Sequence, residues 1–504
     1  MKKKKRLKFP TAFTVLFIVL IIADILTYVI PAGNYSKLNY KKETKKFEIT
    51  NSNGNVSTKP PTQKTLDDLN IKIEVDKFID GSINKPIAIP NTYKRIKQTP
   101  QKISDIVQAP VKGTANGIDI VLFILVVGGL ISIVNATGAF ESGFASLSKV
   151  TKGKEFILLI LVNLLIGLGG TTFGFAEETI ALYPILTSIF LATGYDSMVC
   201  IAIIYVGSTI GTMFSTVNPF ATVIASNSAG ISFTEGIGLR MVGLVIAFII
   251  SLIYVLRYAK KVKDDPSKSL VFDQKEEIEA KFLTNNDNKK EIPQLNFKLK
   301  LILILFGSAF IIMVYGVVVR KWWFTEMTAL FLVISIIVGI ISDLKEKECV
   351  DNFLAGAGDV IGVGLIIGVA RSINLVLENG NISDTLLYFF SNSVQGMNSS
   401  VFAIVMLLIF MVLGLFIPSS SGLAVLSMPI MAPLADTVGI SRAIIVSAFQ
   451  FGHGLITFIT PTGIILAALS MVDITYDRWL KFIAPLLVIM LILSMILLSF
   501  AVII

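Results

Sequence analysis

Long hydrophobic runs recur along the whole chain. The clear runs cover roughly residues 11–30, 117–137, 155–170, 236–258, 299–319, 325–342, 357–377, 400–416 and 480–504. A helix needs about 20 apolar residues to cross the hydrocarbon core of a bilayer, and most of the runs have that length. The ten-residue alternation of a membrane β-barrel is absent from the sequence, so the runs predict helices. The chain is therefore predicted to be an all-α polytopic membrane protein with about 10–13 transmembrane segments.

Two further hydrophobic blocks, 171–233 and 417–474, are broken by polar residues, glycine and proline. Their interruptions fall in the same order with an offset of about 245 residues, which indicates an internal repeat. The interruptions are Thr171-Thr172, Glu177-Glu178 and Asn218-Pro219 in the first block, and Pro418 to Gly422 and Thr460 to Gly463 in the second. The charges of the loops predict opposite orientations for the two repeats. We therefore expect two inverted structural repeats with re-entrant hairpins or broken helices, as in many secondary transporters.

Loop charge predicts the orientation and the divisions of the chain. Five lysines and an arginine within Met1 to Lys8 precede the first run, which predicts a cytoplasmic N-terminus and a bacterial cytoplasmic membrane location. In the polar stretch that follows, Ile71 to Val75 indicates β character, and Ile103 to Lys112 is expected as a short helix at the membrane surface. The predicted divisions are an N-terminus with the first helix at 1–33, an extracytoplasmic insertion at 34–116, the first repeat at 117–258, a flexible cytoplasmic linker at 259–298, and the second repeat with an additional helix at 299–504.

Composition excludes several classes of function. Hydrophobic residues make up 54% of the chain, and the net charge of +9 lies almost wholly in loops, where lysines usually serve topology and lipid contact. We infer no nucleic-acid partner; the expected partners are the lipid bilayer and a small solute, with a homodimer left open. Cys200 and Cys349 are far apart and the chain has one histidine, so no metal site or cofactor is expected. No motif of a soluble enzyme occurs, which argues against catalysis.

The serine cluster Ser419-Ser420-Ser421-Gly422 lies at membrane depth, directly after Pro418. The proline and the glycine stop the helix there, and the start of the next helix is a natural site for an anion such as a carboxylate. The alternative is a purely structural role, in which these small residues only let two helices pack closely. The cluster, its proline and its repeat partner Thr171-Thr172 favour a binding site.

Glu177-Glu178 and Arg371 are charges inside hydrophobic segments. A carboxylate at membrane depth costs about 2.5 kcal/mol or more, so it is expected to face a partner or a watery cavity. A cationic group of the substrate, a coupling proton and a buried ion pair all explain the glutamates. Arg371 could clamp a carboxylate with two hydrogen bonds or could pair with a glutamate, and the sequence does not separate these roles.

The later breaks of the repeats, at Asn218 and at Thr460 and Thr462, add further candidates. Unwound carbonyls together with Asn and Thr oxygens could coordinate Na⁺ or bind substrate, and the alternative is a simple proline kink. His453 is flanked by glycines within the second block, and its ordinary titration range would suit proton coupling. A lone histidine is more often a hydrogen-bonded packing residue. The sequence therefore leaves coupling to Na⁺ or H⁺ open.

Several of these segments together resemble one known family. They are Phe9-Pro10-Thr11, Tyr28 to Gly33, Ala109 to Gly113, and the blocks around Glu177-Glu178, Asn218-Pro219, Pro418 to Gly422 and Thr460 to Thr462. They resemble the YfcC family, which belongs with the anaerobic C4-dicarboxylate carriers in the ion-transporter superfamily and includes ArcD-type arginine/ornithine antiporters. The resemblance covers nearly the whole chain apart from the linker and the insertion. It implies two inverted repeats with hairpins around a central site, and solute exchange or ion-coupled uptake.

The choice of solute rests on the charges at membrane depth. A basic amino acid needs one site for its carboxylate, which the serine cluster could supply, and one for its cation, which Glu177 or Glu178 could supply. A dicarboxylate needs two anion sites, and the acidic pair would repel it. We therefore expect a secondary transporter that exchanges basic amino acids by alternating access, with a C4-dicarboxylate carrier as the alternative and a channel as a third reading.

Overall fold

The computed structural model describes residues 11–503 except 53, 72, 80–82, 84–85, 141, 144–145, 147–154, 284–294, 321, 323 and 395. The basic residues 1–8 and the motif residues Phe9 and Pro10 lie outside the described residues. The orientation that the basic N-terminus predicts therefore stays a prediction.

Helices dominate the described chain, as the hydrophobic pattern predicts. They are α1 Ala12–Val29, α2 Gln63–Asp68, α3 Asp76–Ile79, α4 Ile103–Asn116, α5 Ile118–Ala136, α6 Glu155–Phe173, α7 Tyr183–Ala192, α8 Ser197–Met213, α9 Ile224–Ala229, α10 Ile237–Asp264, α11 Lys275–Phe282, α12 Phe297–Arg320, α13 Phe324–Ile341, α14 Glu346–Asp359, α15 Ile361–Asn379, α16 Ser383–Ser393, α17 Ser399–Phe416, α18 Ser420–Thr437, α19 Arg442–Thr457, α20 Ile465–Met471 and α21 Tyr476–Ile503. Short polar side chains cap several of them, including Thr11, Asp196, Asn398 and Ser441.

Seven helical segments of the described chain are long and apolar enough to cross a membrane. They are Ala12–Val29, Ile118–Ala136, Ile237–Asp264, Phe324–Ile341, Glu346–Asn379, Ser399–Phe416 and Tyr476–Ile503. Their outer faces keep rows of exposed apolar side chains, such as Ile18, Ile22 and Ile25 on α1. Such continuous apolar surface suits contact with lipid tails. The prediction of a polytopic helical membrane protein is confirmed.

The helix pairs α4–α5 and α14–α15 have the same form. Each consists of segments of 14 and 19 residues that meet at one non-helical residue, Gly117 in the first pair and Val360 in the second. The two pairs lie side by side, with α4 against α15 and α5 against α14. Because each short segment packs on the long segment of the other pair, the pairs run antiparallel. The predicted surface helix at Ile103 to Lys112 is thus the first part of α4, packed along α15.

Glycines allow these helices to approach closely. A Cβ on Gly356 would lie 2.4 Å from the carbonyl oxygen of Gly128, and a Cβ on Gly113 would lie 2.5 Å from that of Gly368. Larger residues would force the backbones apart at both positions, since close backbone approach in membranes requires small residues. The two contacts lie one in each half of the antiparallel arrangement, between α14 and α5 and between α4 and α15.

Each half of the chain continues with a helical hairpin and a broken helix. Hairpin 1 is α6–α7 and hairpin 2 is α17–α18; break 1 is residues 214–218 after α8, and break 2 is residues 458–464 after α19. Each half ends in a helix of 28 residues, α10 or α21. Matching lengths and reciprocal packing are the relations that an internal repeat produces. Inversion of the repeats in the bilayer remains a prediction.

Residues 33–95 fold into a small β-domain. Its strands are β1 Gly33–Asn34, β2 Lys37–Lys41, β3 Lys46–Thr50, β4 Val56–Lys59, β5 Ile87–Ala88 and β6 Lys94–Arg95, in an antiparallel sheet of order β4-β3-β2-β5 and a separate β1-β6 pair. The β character of the insertion is confirmed, but the strand predicted at Ile71 to Val75 is wrong. Ile71 and Ile73 are buried in the core of the β-domain, while the described residues of this stretch pair with no strand. The alternating apolar residues of this stretch are therefore a sign of burial and not of strand pairing.

The β-domain contacts the helices at two places. At one end, the Tyr35 N–H donates to Asp384 of α16 at 3.0 Å, and Tyr93 stacks on Tyr388 with ring centroids 4.2 Å apart. At the other end, Val425 of hairpin 2 joins the apolar core of the β-domain. The insertion is therefore docked on the helical body.

The predicted flexible linker is partly folded. Residues 265–283 form two short 3-10 turns and α11. Arg478 holds this segment through two hydrogen bonds of 2.6 Å to the carboxylate of Asp273, and the Ser188 hydroxyl donates to the carbonyl of Phe282 at 2.9 Å. Residues 284–294 lie outside the described part. The prediction of flexibility is thus wrong for 265–283, because ionic and backbone contacts to the helical body fix the segment.

Candidate functional site

The turns of both hairpins and both breaks meet at one cavity of about 540 Å³. Its wall includes most of the residues singled out in the sequence: Glu177, Glu178, Asn218, Arg371, Ser419, Ser420, Ser421, His453, Thr460 and Thr462. The structure therefore brings together positions that are hundreds of residues apart in sequence. A cavity of this size holds a small solute.

The turn of hairpin 1 presents the acidic pair to the cavity. Helix α6 ends at Gly174, whose φ of +77° lets the chain reverse, and the N–H of Gly174 donates to the carbonyl of Gly169 at 3.1 Å. A 3-10 turn, Glu177–Leu182, follows and leads into α7. The Glu178 carboxylate accepts a hydrogen bond of 3.1 Å from the N–H of Ala176. Neither Glu177 nor Glu178 forms an ion pair with another described residue.

The turn of hairpin 2 presents a helix N-terminus to the same cavity. Pro418 follows the end of α17, and Ser419 is the N-cap of α18, with its hydroxyl accepting from the Gly422 N–H at 3.2 Å. The Ser420 hydroxyl donates to the carbonyl of Phe220 at 3.3 Å, which links hairpin 2 to the segment after break 1. The first turn of α18 thus combines backbone N–H groups, hydroxyls and the positive end of a helix dipole. This is the chemistry of an anion site.

Break 1 is organised by Asn218. Its Oδ1 accepts from the N–H groups of Phe220 at 2.8 Å and Ala221 at 3.3 Å, and its Nδ2 donates to the carbonyl of Gly170 at 3.3 Å. The side chain therefore caps the helix after the break and ties it to hairpin 1. Asn218 reaches the cavity wall, but most of its hydrogen-bonding capacity is already used.

Break 2 is held by aromatic donors. The Tyr205 hydroxyl donates to the carbonyl of Thr457 at 2.7 Å, and the Trp479 indole N–H donates to the carbonyl of Phe458 at 2.8 Å. The hydroxyls of Thr460 and Thr462 lie 2.7 Å apart. The bonds from Tyr205 and Trp479 satisfy carbonyls that the unwound backbone would otherwise leave unpaired at membrane depth.

Arg371 lies on α15 where the other broken pair is interrupted. Its Nη1 donates to the carbonyl of Asn116 at 3.1 Å, and a Cβ on Gly117 would lie 2.8 Å from its Cδ. The glycine at the break therefore makes room for the arginine side chain. Arg371 forms no ion pair with another described residue, so the buried-ion-pair alternative has no support within the described chain.

His453 lies on α19 and faces hairpin 2. Its Nε2 is 3.0 Å from the carbonyl oxygen of Pro418, which can only accept, so the ring is protonated on Nε2. The histidine thus joins the broken helix to the turn that precedes the serine cluster. A role in proton coupling remains a prediction.

Three predicted residues are not part of the cavity wall. Thr171 is buried and accepts from the Thr216 N–H at 3.2 Å, while the Thr172 hydroxyl donates to the carbonyl of Leu168 within its own helix. Gly422 contributes its N–H to the cap of α18. Position in a repeat does not determine which way a side chain points, since neighbours on a helix differ by about 100°.

The structure adds polar cavity residues that sequence reasoning missed. Gln450 donates from Nε2 to the hydroxyls of Ser215 at 3.0 Å and Thr222 at 2.7 Å, and so joins α19 to break 1. Asn374 and Glu378 follow Arg371 on the cavity side of α15. An amide in an apolar run, as at Gln450, was the available signal. For Asn374 and Glu378 the spacing from Arg371 was the signal, since residues three, four and seven apart share a helix face.

Comparison with known proteins agrees with this architecture. The chain is 50% identical over 99% of its length to an uncharacterized protein of Haemophilus influenzae, covering 97% of that protein. It is 30% identical over 98% of its length to a protein named as the putative basic amino acid antiporter YfcC of Escherichia coli, covering 96% of that protein. Both alignments span the hairpins and the breaks.

Two solved transporters also match along nearly the whole chain. MtrF of Neisseria gonorrhoeae, described among antimetabolite efflux pumps, matches with 14% identity and a TM-score of 0.38, covering 99% of this chain and 96% of that one. The YdaH transporter of Alcanivorax borkumensis matches with 12% identity and a TM-score of 0.39, covering 97% and 98%.

A match to a family model covers almost the whole chain. The family described as DcuC, C4-dicarboxylate anaerobic carrier, matches residues 9–503. The match includes both repeats, the β-domain and the linker. The resemblance noted in the sequence motifs is thereby confirmed, and the chain belongs to the DcuC family of membrane transporters.

Proposed function

We propose that this transporter exchanges basic amino acids of the arginine and ornithine type by alternating access. The supporting observation is the charge of the cavity wall. Among the described lining residues, three carry carboxylates: Glu177, Glu178 and Glu378. Arg371 carries a guanidinium, and the other titratable side chains are those of His453 and Tyr205. The excess of negative charge favours a solute with a net positive charge.

The two hairpin turns supply complementary ends for such a solute. The first turn of α18, with the hydroxyls of Ser419, Ser420 and Ser421, suits the α-carboxylate. Glu177 and Glu178 suit the cationic side chain, because neither is neutralised by a described cation. The name of the Escherichia coli relative, a putative basic amino acid antiporter, agrees with this assignment.

The proposal includes a site at the meeting point of two repeats, as in other transporters with broken helices. Thr460, Thr462 and Asn218 belong to the breaks and are the candidates for Na⁺, and His453 is the candidate for a coupled proton. The basic N-terminus supports a bacterial cytoplasmic membrane with the N-terminus inside. A homodimer stays a prediction.

A C4-dicarboxylate carrier is the second candidate. The family description and two anion-binding features of the cavity, Arg371 and the start of α18, favour it. The glutamates oppose it, because each carboxylate that stays ionised repels a diacid.

Exchange in proteoliposomes tests the proposal. Vesicles loaded with unlabelled ornithine should take up labelled arginine, and empty vesicles should not. Glu178→Gln should abolish this exchange, whereas Asp351→Asn, which removes one exposed carboxylate of α14 outside the cavity wall, should leave it unchanged. Uptake of succinate without any exchange of arginine would refute the proposal of a basic amino acid exchanger and support that of a dicarboxylate carrier.

A further inference from the structure

Helix α15 carries three functional side chains along one wall of the cavity. Arg371, Asn374 and Glu378 are spaced three and four residues apart and all line it. Residues at this spacing project from the same face of a helix. The wall therefore presents a guanidinium, an amide and a carboxylate in that order.

These groups have binding capacity that the described chain does not use. Glu378 and Arg371 form no ion pair with a described residue, and the Oδ1 of Asn374 is buried without a hydrogen-bond partner in the described chain. The guanidinium of Arg371 donates to one carbonyl, which leaves most of its donors unused. A buried amide oxygen without a hydrogen-bond partner is costly. A ligand that donates a hydrogen bond to it, or a rotation of the amide group, would therefore lower the free energy.

The order of the groups matches the order of groups in a basic amino acid. We propose that α15 is a second station for the solute, where Arg371 binds the α-carboxylate, Asn374 accepts from the α-ammonium, and Glu378 selects the cationic end of the side chain. This inference rests on the proposed function. It assigns Asn374 and Glu378 as specificity-determining residues and leaves the hairpin turns as the first station.

The dimensions agree with such a solute. Seven residues of α-helix rise about 10 Å between Arg371 and Glu378. An extended arginine spans roughly 7.5 Å from its carboxylate carbon to its guanidinium carbon, over six bonds. The difference of about 3 Å is within the reach of the flexible arginine and glutamate side chains, so the length fits. In a C4 diacid the two carboxylate carbons are roughly 4 Å apart, and its second charge would face Glu378 with the wrong sign.

The station explains why the wall has a carboxylate at the end of α15. Glu378 lies in the last turn of the helix, close to the β-domain, since the Gly33 N–H donates to the carbonyl of Asn381 at 3.0 Å.

Comparing arginine with citrulline tests the station. Citrulline has nearly the shape of arginine but a neutral side chain, so the ratio of their KM values measures recognition of charge. In ornithine-loaded proteoliposomes, Glu378→Gln should raise the KM for arginine roughly tenfold or more, because a charge-assisted hydrogen bond is lost. The maximal rate should change little, and the preference for arginine over citrulline should shrink by the same factor.

Two further variants complete the test. Glu378→Asp keeps the charge on a shorter side chain and should retain the preference for arginine. Asp351→Asn removes an exposed carboxylate from α14 and should leave both KM values unchanged. If Glu378→Gln exchanges arginine with the wild-type KM and the wild-type preference, the station is refuted and the proposed function stands. If the wild type exchanges no basic amino acid, the proposed function itself is refuted.

Discussion

The close approach of the two broken helices predicts opposite effects for two neighbouring glycines of α14. A Cβ on Gly356 would lie 2.4 Å from the Gly128 carbonyl oxygen and 2.4 Å from the Cβ of Ser132, whereas a Cβ on Gly358 would meet nothing within 4 Å. Gly356→Ala must therefore push α14 away from α5 by about 1 Å, since carbon atoms pack at about 3.5–4.0 Å. Gly358→Ala pushes nothing and serves as the matched control.

The size of each effect follows from known costs. Overpacking of this kind typically costs about 1–3 kcal/mol. Alanine in place of a helical glycine returns about 0.5–1 kcal/mol, because the unfolded chain loses freedom. We therefore expect Gly356→Ala to lower the free energy of unfolding by about 1–2 kcal/mol. Gly358→Ala should raise it by up to about 1 kcal/mol.

Thermal unfolding of both variants in one detergent measures the difference. The midpoint of Gly356→Ala should fall below that of the wild type, and the midpoint of Gly358→Ala should equal or exceed it. Equal shifts of the two midpoints in the same direction would refute the close contact between α14 and α5. The comparison cancels general effects of detergent, because both substitutions add one methyl group to the same helix.

Three other substitutions test separate parts of the fold. Burial raises the pKa of Asp384, which accepts from the Tyr35 N–H; its contribution to stability is therefore present below the ordinary carboxyl pKa and is lost as pH rises through the raised value. Asp384→Asn should remove this decline from about pH 4 upward, and an unchanged pH profile of the unfolding midpoint would contradict it. Trp479→Phe leaves a void and an unpaired carbonyl at Phe458, so a loss of about 2–4 kcal/mol is expected in thermal unfolding. Arg478→Gln breaks an ion pair to the linker whose carboxylate, on Asp273, is 71% exposed, so it should cost about 1 kcal/mol or less, with a smaller effect at high salt. A loss as large as that of Trp479→Phe would contradict this.

Much of the candidate site could be predicted from the sequence because the membrane makes polar residues conspicuous. Glu177, Glu178 and Arg371 stand out in apolar runs, and Pro418 followed by serines marks a helix start. Placing a charge in lipid is costly, so such residues are kept where they serve a cavity or a partner. The structure places all four of these positions on one cavity wall.

The errors have physical causes as well. Thr171 and Thr172 belong to the right segment, but their hydroxyls bond to the Thr216 N–H and to the carbonyl of Leu168 and neither residue lines the cavity. Residues 265–283 look like a flexible, charged linker in the sequence. In the structure, however, Asp273 accepts hydrogen bonds from Arg478, which is more than 200 residues away in sequence. Asn374 and Glu378 lie close to Arg371 in sequence, but only the packing of α15 against the cavity shows that they share its wall.

The sequence by itself determined the membrane class, most of the helical elements and the family. These follow from hydrophobic length, from local helix breakers and from motifs, all of which are local properties of the chain. The tertiary structure alone decided which breaks meet, which polar groups are already used in capping, and which remain free beside the cavity. That information depends on contacts between distant segments, such as the Ser420 hydroxyl with the carbonyl of Phe220, and no local pattern contains it.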